Sequence, residues 1–144
     1  MNSMNDKYFI DTNIFIYSFD QRDKQKQQRA QQIIDQALKT NKGIISYQVV
    51  QEFLNVAIRG FSVAISANDC LVYLDQVLQP LWKIYPASEI YKEALLVQME
   101  TQFSFYDALI VACAIHGGCN ILYSEDLQSG QKIAGLKIEN PFIG

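Results

Sequence analysis

The chain is short of nearly every side chain that does chemistry on its own. Its single histidine, His116, leaves no Ser-His-Asp triad and no histidine-rich metal site to assemble. His116 falls just before Gly117-Gly118, where a helix C-terminus would favour a partly charged imidazole, and it is assigned no catalytic role. The three cysteines, Cys70, Cys113 and Cys119, are odd in number and form no CxxC pair. Buried free thiols are expected rather than a disulfide framework or a zinc site. Charge is scarce as well: 19% of the residues are charged and the net charge is −3. That balance counts against gripping nucleic acid by bulk charge, so any phosphate-binding surface must be local. No apolar run approaches the ~20 residues that span a bilayer. Residues 1–7 lack the cationic region and long apolar stretch of a secretory signal. A cytoplasmic protein without membrane contact is expected. At 144 residues and 49% hydrophobic content, residues 1–144 fit a single folded domain and argue against disorder.

Against this sparse background, four acids stand out. Asp11 closes Tyr8-Phe9-Ile10-Asp11 and precedes Thr12-Asn13-Ile14-Phe15; Glu52 lies in Val49-Val50-Gln51-Glu52-Phe53-Leu54. Asp107 enters Phe105-Tyr106-Asp107-Ala108-Leu109-Ile110-Val111, and Asp126 follows Ile121-Leu122-Tyr123-Ser124-Glu125. A carboxylate bordering a core-forming segment risks desolvation, which disfavours its charged form. Four brought together would also repel one another, and a hard divalent cation is the usual remedy.

Strand and helix patterns alternate along the chain. Strands are expected at 8–11, 43–46, 82–85, 120–123 and, as a short fifth, 136–139. Helical patterns occupy 13–19, 24–39, 47–59, 66–78, 88–102 and 104–116. In the second of these Ala30, Ile33, Ile34, Ala37 and Leu38 form an apolar stripe. Ser46 is placed to cap the third, Gly60 to stop it, and Pro80 to close the fourth. Strands separated by helices imply an α/β fold: a central parallel sheet of four or five strands with helices on both faces. Ligands bind such sheets beyond the carboxyl ends of the strands, where all four acids can face one crevice.

Each acid also has a plainer role. Asp11 serves equally well to organise the turn after its strand. Asp107 fits the capping pattern Ser104-Phe105-Tyr106-Asp107. Glu52 projects to the margin of its helix's apolar stripe, near Val56, away from the polar arc of Gln48, Gln51 and Asn55; a surface glutamate at the edge is the alternative. Asp126 could cap the turn through Leu127-Gln128-Ser129-Gly130, and Glu125 could exchange roles with it. Asp20, Asp23 and Asp35 fall in or beside the polar helix at 24–39, and Glu93 and Glu100 fit exposed helical positions. The basic set Arg22, Lys24, Lys26 and Arg29 reads as a solvated helix face rather than an RNA-binding stripe, with Arg59 and Lys132 weaker candidates near the crevice.

Taken in order, Phe9-Ile10-Asp11-Thr12-Asn13-Ile14-Phe15, Gln51-Glu52-Phe53, Phe105-Tyr106-Asp107-Ala108-Leu109-Ile110 and Tyr123-Ser124-Glu125-Asp126-Leu127 resemble the PIN-domain family of metal-dependent nucleases. The resemblance spans nearly the whole chain. It implies a three-layer α/β/α fold and an acidic pocket of Asp11, Glu52, Asp107 and Asp126 binding Mg²⁺ or Mn²⁺. It implies hydrolysis of RNA phosphodiester bonds, with Thr12, Asn13 and Ser124 as polar neighbours of the quartet. Small bacterial members are commonly the toxins of two-gene toxin–antitoxin systems (VapC-like), often homodimeric and neutralised by a cognate antitoxin. On that basis Asp11 and Asp107 are the principal metal ligands. Glu52 is a ligand or water-positioning base, and Asp126 a second-site or outer-sphere ligand. Ser124-Glu125-Asp126 departs from the commoner threonine or serine before a single aspartate, leaving open whether Asp126 meets metal directly and whether Glu125 helps. A phosphoacceptor receiver domain is disfavoured, because 84–86 ends the third strand without an aspartate. A catalytically idle PIN-like module that binds RNA or protein is the stronger rival.

Overall fold

The computed structural model describes residues 6–60 and 65–143. The N-terminal stretch read for the absence of a leader lies mostly outside the described residues. The chain runs β1 (Tyr8–Ile10), α1 (Thr12–Tyr17), α2 (Lys24–Thr40), β2 (Gly43–Ser46), α3 (Tyr47–Arg59) and α4 (Ala67–Tyr73). It continues through a wide turn at Leu74–Leu78 into α5 (Gln79–Leu81), then β3 (Trp82–Ile84), α6 (Ser88–Glu100) and α7 (Phe105–His116). β4 (Ile121–Tyr123), β5 (Lys132–Ile133) and β6 (Leu136–Glu139) complete it. The fold is the expected α/β arrangement, a central, mostly parallel sheet flanked by helices.

The strand order is β3-β2-β1-β4-β6-β5. Every pairing is parallel except β5 with β6. The expected four or five strands are therefore six. The missing one, β5, folds back antiparallel onto β6 through Ala134 and Gly135, both at positive φ. Chain progress moves outward from β1 to β3, then resumes on the other side of β1 with β4. This reversal opens a crevice at the carboxyl ends of β1 and β4.

Core-forming residues run in succession along β1 and β2, whereas β6 alternates, with Lys137 exposed between buried Leu136 and Ile138. Phe9, Ile10, Ile44, Ile45, Leu122 and Ile138 are all buried, as a parallel sheet covered on both faces requires. α7 is buried along Ala108–Ala114, which explains its apolar composition. α2 is instead amphipathic and buries Ala30, Ile33, Ile34 and Ala37. It closes on Asn41 in the left-handed conformation, returning the chain to Gly43. A Cβ at Gly43 would stand 2.4 Å from the Ala37 Cβ and 2.7 Å from Cε2 of Tyr8, its partner on β1. Helix and strand approach too closely there for any side chain. Gly43→Ala should destabilise the protein by about 1–3 kcal/mol through overpacking; a chemical denaturation midpoint unchanged from wild type would contradict this close approach.

Two local expectations are corrected. Pro80 does not end the helix from Ala67. The Gln79 N–H reaches back to the Leu74 carbonyl, one residue further than an α-helical bond, and Pro80 then sits in the first turn of α5, where a missing N–H needs no partner. Ser46 occupies the N-cap of α3, but its hydroxyl makes no capping bond. The cysteines are as expected, all buried and free. Burial pushes the Cys113 thiol up to about 11 and that of Cys119 up to about 12, so neither is a nucleophile at neutral pH. No helix among the described residues is long and apolar enough to cross a membrane.

Candidate active site

β1 ends at Ile10, and Asp11 becomes the N-cap of α1, buried at 9% exposure. Its backbone N–H donates to the Tyr123 carbonyl across the β1–β4 crevice at 3.0 Å. One carboxylate oxygen accepts from the Thr12 N–H at 2.7 Å, the other from the Ser124 hydroxyl at 2.8 Å. Asp11 thus organises the turn after β1 and also lines the crevice. Burial pushes its carboxyl up to about 6 in spite of the Ser124 and Thr12 hydrogen bonds, and the nearby Glu52 and Asp126 carboxylates add to the rise.

The next residues carry the site outward. The Thr12 hydroxyl donates to Glu52 Oε1 at 2.6 Å, joining α1 to α3. The Asn13 amide donates to Asp126 Oδ2 at 2.6 Å, joining α1 to the loop after β4. Asp107 lies in the first turn of α7, where its backbone N–H donates to the Ser104 hydroxyl at 3.2 Å. That is half of the expected capping box. The carboxylate itself makes no hydrogen bond or ion pair with any described residue, and so is left to the cleft. All four acids line one open cleft of ≈ 280 Å³, together with Thr12, Asn13, Gln48, Asn55, Val56 and Ile110. No lysine or arginine is among these lining residues.

Glu125 points elsewhere. It accepts from the Tyr17 hydroxyl at 2.6 Å and pairs with Lys26 of α2. Burial acts to raise its pKa, but the Lys26 and Tyr17 hydrogen bonds outweigh burial and hold the carboxyl below the usual range. The exchange between Glu125 and Asp126 is therefore decided in favour of Asp126 as the cleft residue. Lys26 is consumed by that pair, and Arg22 makes a two-pronged contact with Asp20. Asp20, read from the sequence only as an acid beside the polar helix, is buried. Neither Arg59 nor Lys132 lines the cleft.

Residues 8–133 match the PIN domain. The chain belongs to the PIN domain family. Solved structures share the fold at low identity. A toxin–antitoxin complex from Klebsiella pneumoniae matches with a TM-score of 0.66 and 18% identity, over 94% of this chain and 98% of that one. VapBC2 of Rickettsia felis, bound to a DNA fragment from its promoter, matches at 0.65 and 18%, over 92% and 96%. Mycobacterium tuberculosis VapC20, a sarcin-ricin loop cleaving toxin, matches at 0.56 and 17%, over 83% and 90%. No curated protein matches the sequence.

As a PIN domain, the chain offers a donor set suited to a hard cation: carboxylates from four chain segments, unaccompanied by basic side chains, one of them buried at a cost that a cation would offset. No three such side chains among the described residues converge as a ready-made cage. Thr12 and Asn13 hold Glu52 and Asp126 instead. A partly hydrated ion, taking only one or two carboxylates directly, suits this open arrangement.

One member of the site escaped the sequence reading. Gln48 was placed on the solvated arc of α3, yet it is buried at 4% exposure and lines the cleft. Its amide donates to Glu52 Oε2 at 3.1 Å and to the Tyr106 carbonyl at 3.2 Å. The spacing of four residues between Gln48 and Glu52, which puts both on one helix face, is the signal that could have revealed it.

Proposed function

We propose that this PIN domain is a metal-dependent endoribonuclease, the toxin of a type II toxin–antitoxin pair acting on cytoplasmic RNA. The observation that carries the proposal is the gathering of Asp11, Glu52, Asp107 and Asp126 in one cleft without a cationic neighbour among its lining residues. Phosphodiester chemistry adds negative charge to the site, and carboxylates alone would oppose it. With Mg²⁺ or Mn²⁺ bound, the ion supplies a polarised phosphoryl oxygen and an activated water. Asp11 and Asp107 would hold the ion. Thr12 and Ser124 fix the Glu52 and Asp11 carboxylates by hydrogen bonds, limiting their freedom before substrate arrives. Glu52 would act as a further ligand or as the base that orients the water, and Asn13 holds Asp126 at the rim.

The similar toxin–antitoxin structures support an antitoxin as partner. Exposed Ile58 on α3, Leu71 and Val72 on α4, and Leu95, Leu96 and Met99 on α6 offer apolar area for that partner or for a homodimer.

The test is cleavage of mixed RNA with Mg²⁺, with Mn²⁺ and with EDTA, using wild type and Asp11→Asn. Cleavage is expected only with metal and only by the wild type. Metal binding with no cleavage by either protein would favour a catalytically idle binding module.

A further inference from the structure

Gln48 is an odd occupant for a buried position on α3. Its Oε1 has no hydrogen-bond partner among the described residues, a cost that a methionine or leucine of similar size would avoid. Exchanging the amide's oxygen and nitrogen does not help, because both neighbours, Glu52 Oε2 and the Tyr106 carbonyl, are acceptors. The two N–H groups therefore have one consistent arrangement, and the oxygen is left over. A group retained against its own burial cost points to a task at the site.

The task follows from what the two N–H bonds connect. Glu52 belongs to α3, and Tyr106 is the residue before Asp107 in the first turn of α7. The amide spans the two helices that carry these acids. Glu52 already receives the Thr12 hydroxyl on its other oxygen, so Gln48 completes a grip on both carboxylate oxygens. Without that second bond the Glu52 carboxylate could rotate, and the first turn of α7 would lose a tie to α3. We propose that Gln48 is a positioning residue that sets the Glu52 carboxylate against Asp107 and thereby tunes the affinity of the cleft for a divalent cation. The proposal rests on the cleft being the metal site proposed above.

The experiment is a calorimetric titration of wild type, Gln48→Met and Glu52→Gln with Mn²⁺ alone, beside their thermal unfolding without metal and their RNA cleavage across Mn²⁺ concentrations. Gln48→Met keeps the volume and removes both bonds. Its Tm without metal should stay within about 3 °C of wild type. Its Mn²⁺ affinity should fall by about tenfold to a hundredfold. Cleavage should fall in parallel at low Mn²⁺ and recover as the metal is raised, which a damaged fold would not do. In the Glu52→Gln background, adding Gln48→Met should cost little further affinity. Where Gln48→Met does not fold, Gln48→Leu serves the same comparison. Wild-type Mn²⁺ affinity in a folded Gln48 variant overturns the positioning role while leaving the metal site standing. A wild-type protein that takes up no Mn²⁺ overturns both.

Discussion

Asp11→Asn should abolish RNA cleavage and, in the absence of metal, make the protein more stable at neutral pH. The loss of activity should be about a thousandfold or more, since an ion held by this carboxylate supplies several kcal/mol of charge stabilisation. The gain in stability follows from burial. Asp11 titrates near 6 in the folded chain against 3.8 in an exposed carboxylate. The folded state therefore holds this proton more tightly than the unfolded state does. Its stabilising effect is complete below about pH 4, declines as pH rises, and is gone above about pH 6. The cost of ionised, uncompensated Asp11 at pH 7 is about 3 kcal/mol. Asparagine escapes that cost and keeps the local bonds. Its carbonyl oxygen can accept from Thr12 N–H, and its amide can donate to a Ser124 hydroxyl turned to accept.

Thermal unfolding in EDTA across pH 4–8 checks this directly. The variant should melt higher than wild type at pH 7, by up to roughly 5–10 °C, and the gap should close as pH falls through 6 towards 4. Mn²⁺ should raise the Tm of the wild type and leave the variant almost unmoved. By the same sign, metal binding and cleavage should weaken below about pH 6, where the ion must compete with a proton on Asp11. A variant that melts lower than wild type at pH 7 in EDTA would contradict the desolvated carboxylate. Retained cleavage would remove Asp11 from the reaction.

The site was legible in the sequence where position along the sheet decides the outcome. Asp11 and Asp126 follow β1 and β4, the strands on either side of the reversal in strand order, so neither needed side-chain detail to be placed at the crevice. Glu52 entered through its place at the margin of a helix's apolar stripe, and Asp107 as the acid that opens an apolar helix despite its fit to a capping pattern. What stayed hidden depends on partners distant in sequence. Glu125 and Asp126 are adjacent, and their roles are separated by partners about a hundred residues away, Tyr17 and Lys26 for Glu125 and Asn13 for Asp126. Gln48 reads as solvated until α7 is laid against α3, because a helical projection shows a face but not its neighbour. β5 escaped for another reason. Its two residues give no period, and its turn begins with Ala134 at φ 49, where asparagine, aspartate or glycine would have signalled a two-residue hairpin.

The largest loss of stability should come from Phe53→Ala, at roughly 3–5 kcal/mol. Phe53 is fully buried beside Glu52 on α3. Its ring lies 6.3 Å from that of Phe15 on α1, 6.0 Å from Phe19 and 5.1 Å from Tyr73 on α4. These neighbours also hold one another, Phe19 and Tyr73 meeting edge-on at 5.1 Å. They cannot simply close over a truncated side chain, so most of the cavity should remain. Against a total stability of about 5–15 kcal/mol for an ordinary domain, that loss approaches unfolding at working temperature. Phe53→Leu refills much of the space and should recover more than half of it. Urea denaturation of the three proteins decides the matter, and a loss below about 1 kcal/mol in Phe53→Ala would mean that the aromatic cluster is not a supporting wall. The consequence reaches the cleft, because the same cluster joins α1, which carries Thr12 and Asn13, to α3, which carries Glu52 and Gln48. In Phe53→Ala kept folded at low temperature, Mn²⁺ affinity should fall although no metal-facing side chain has changed.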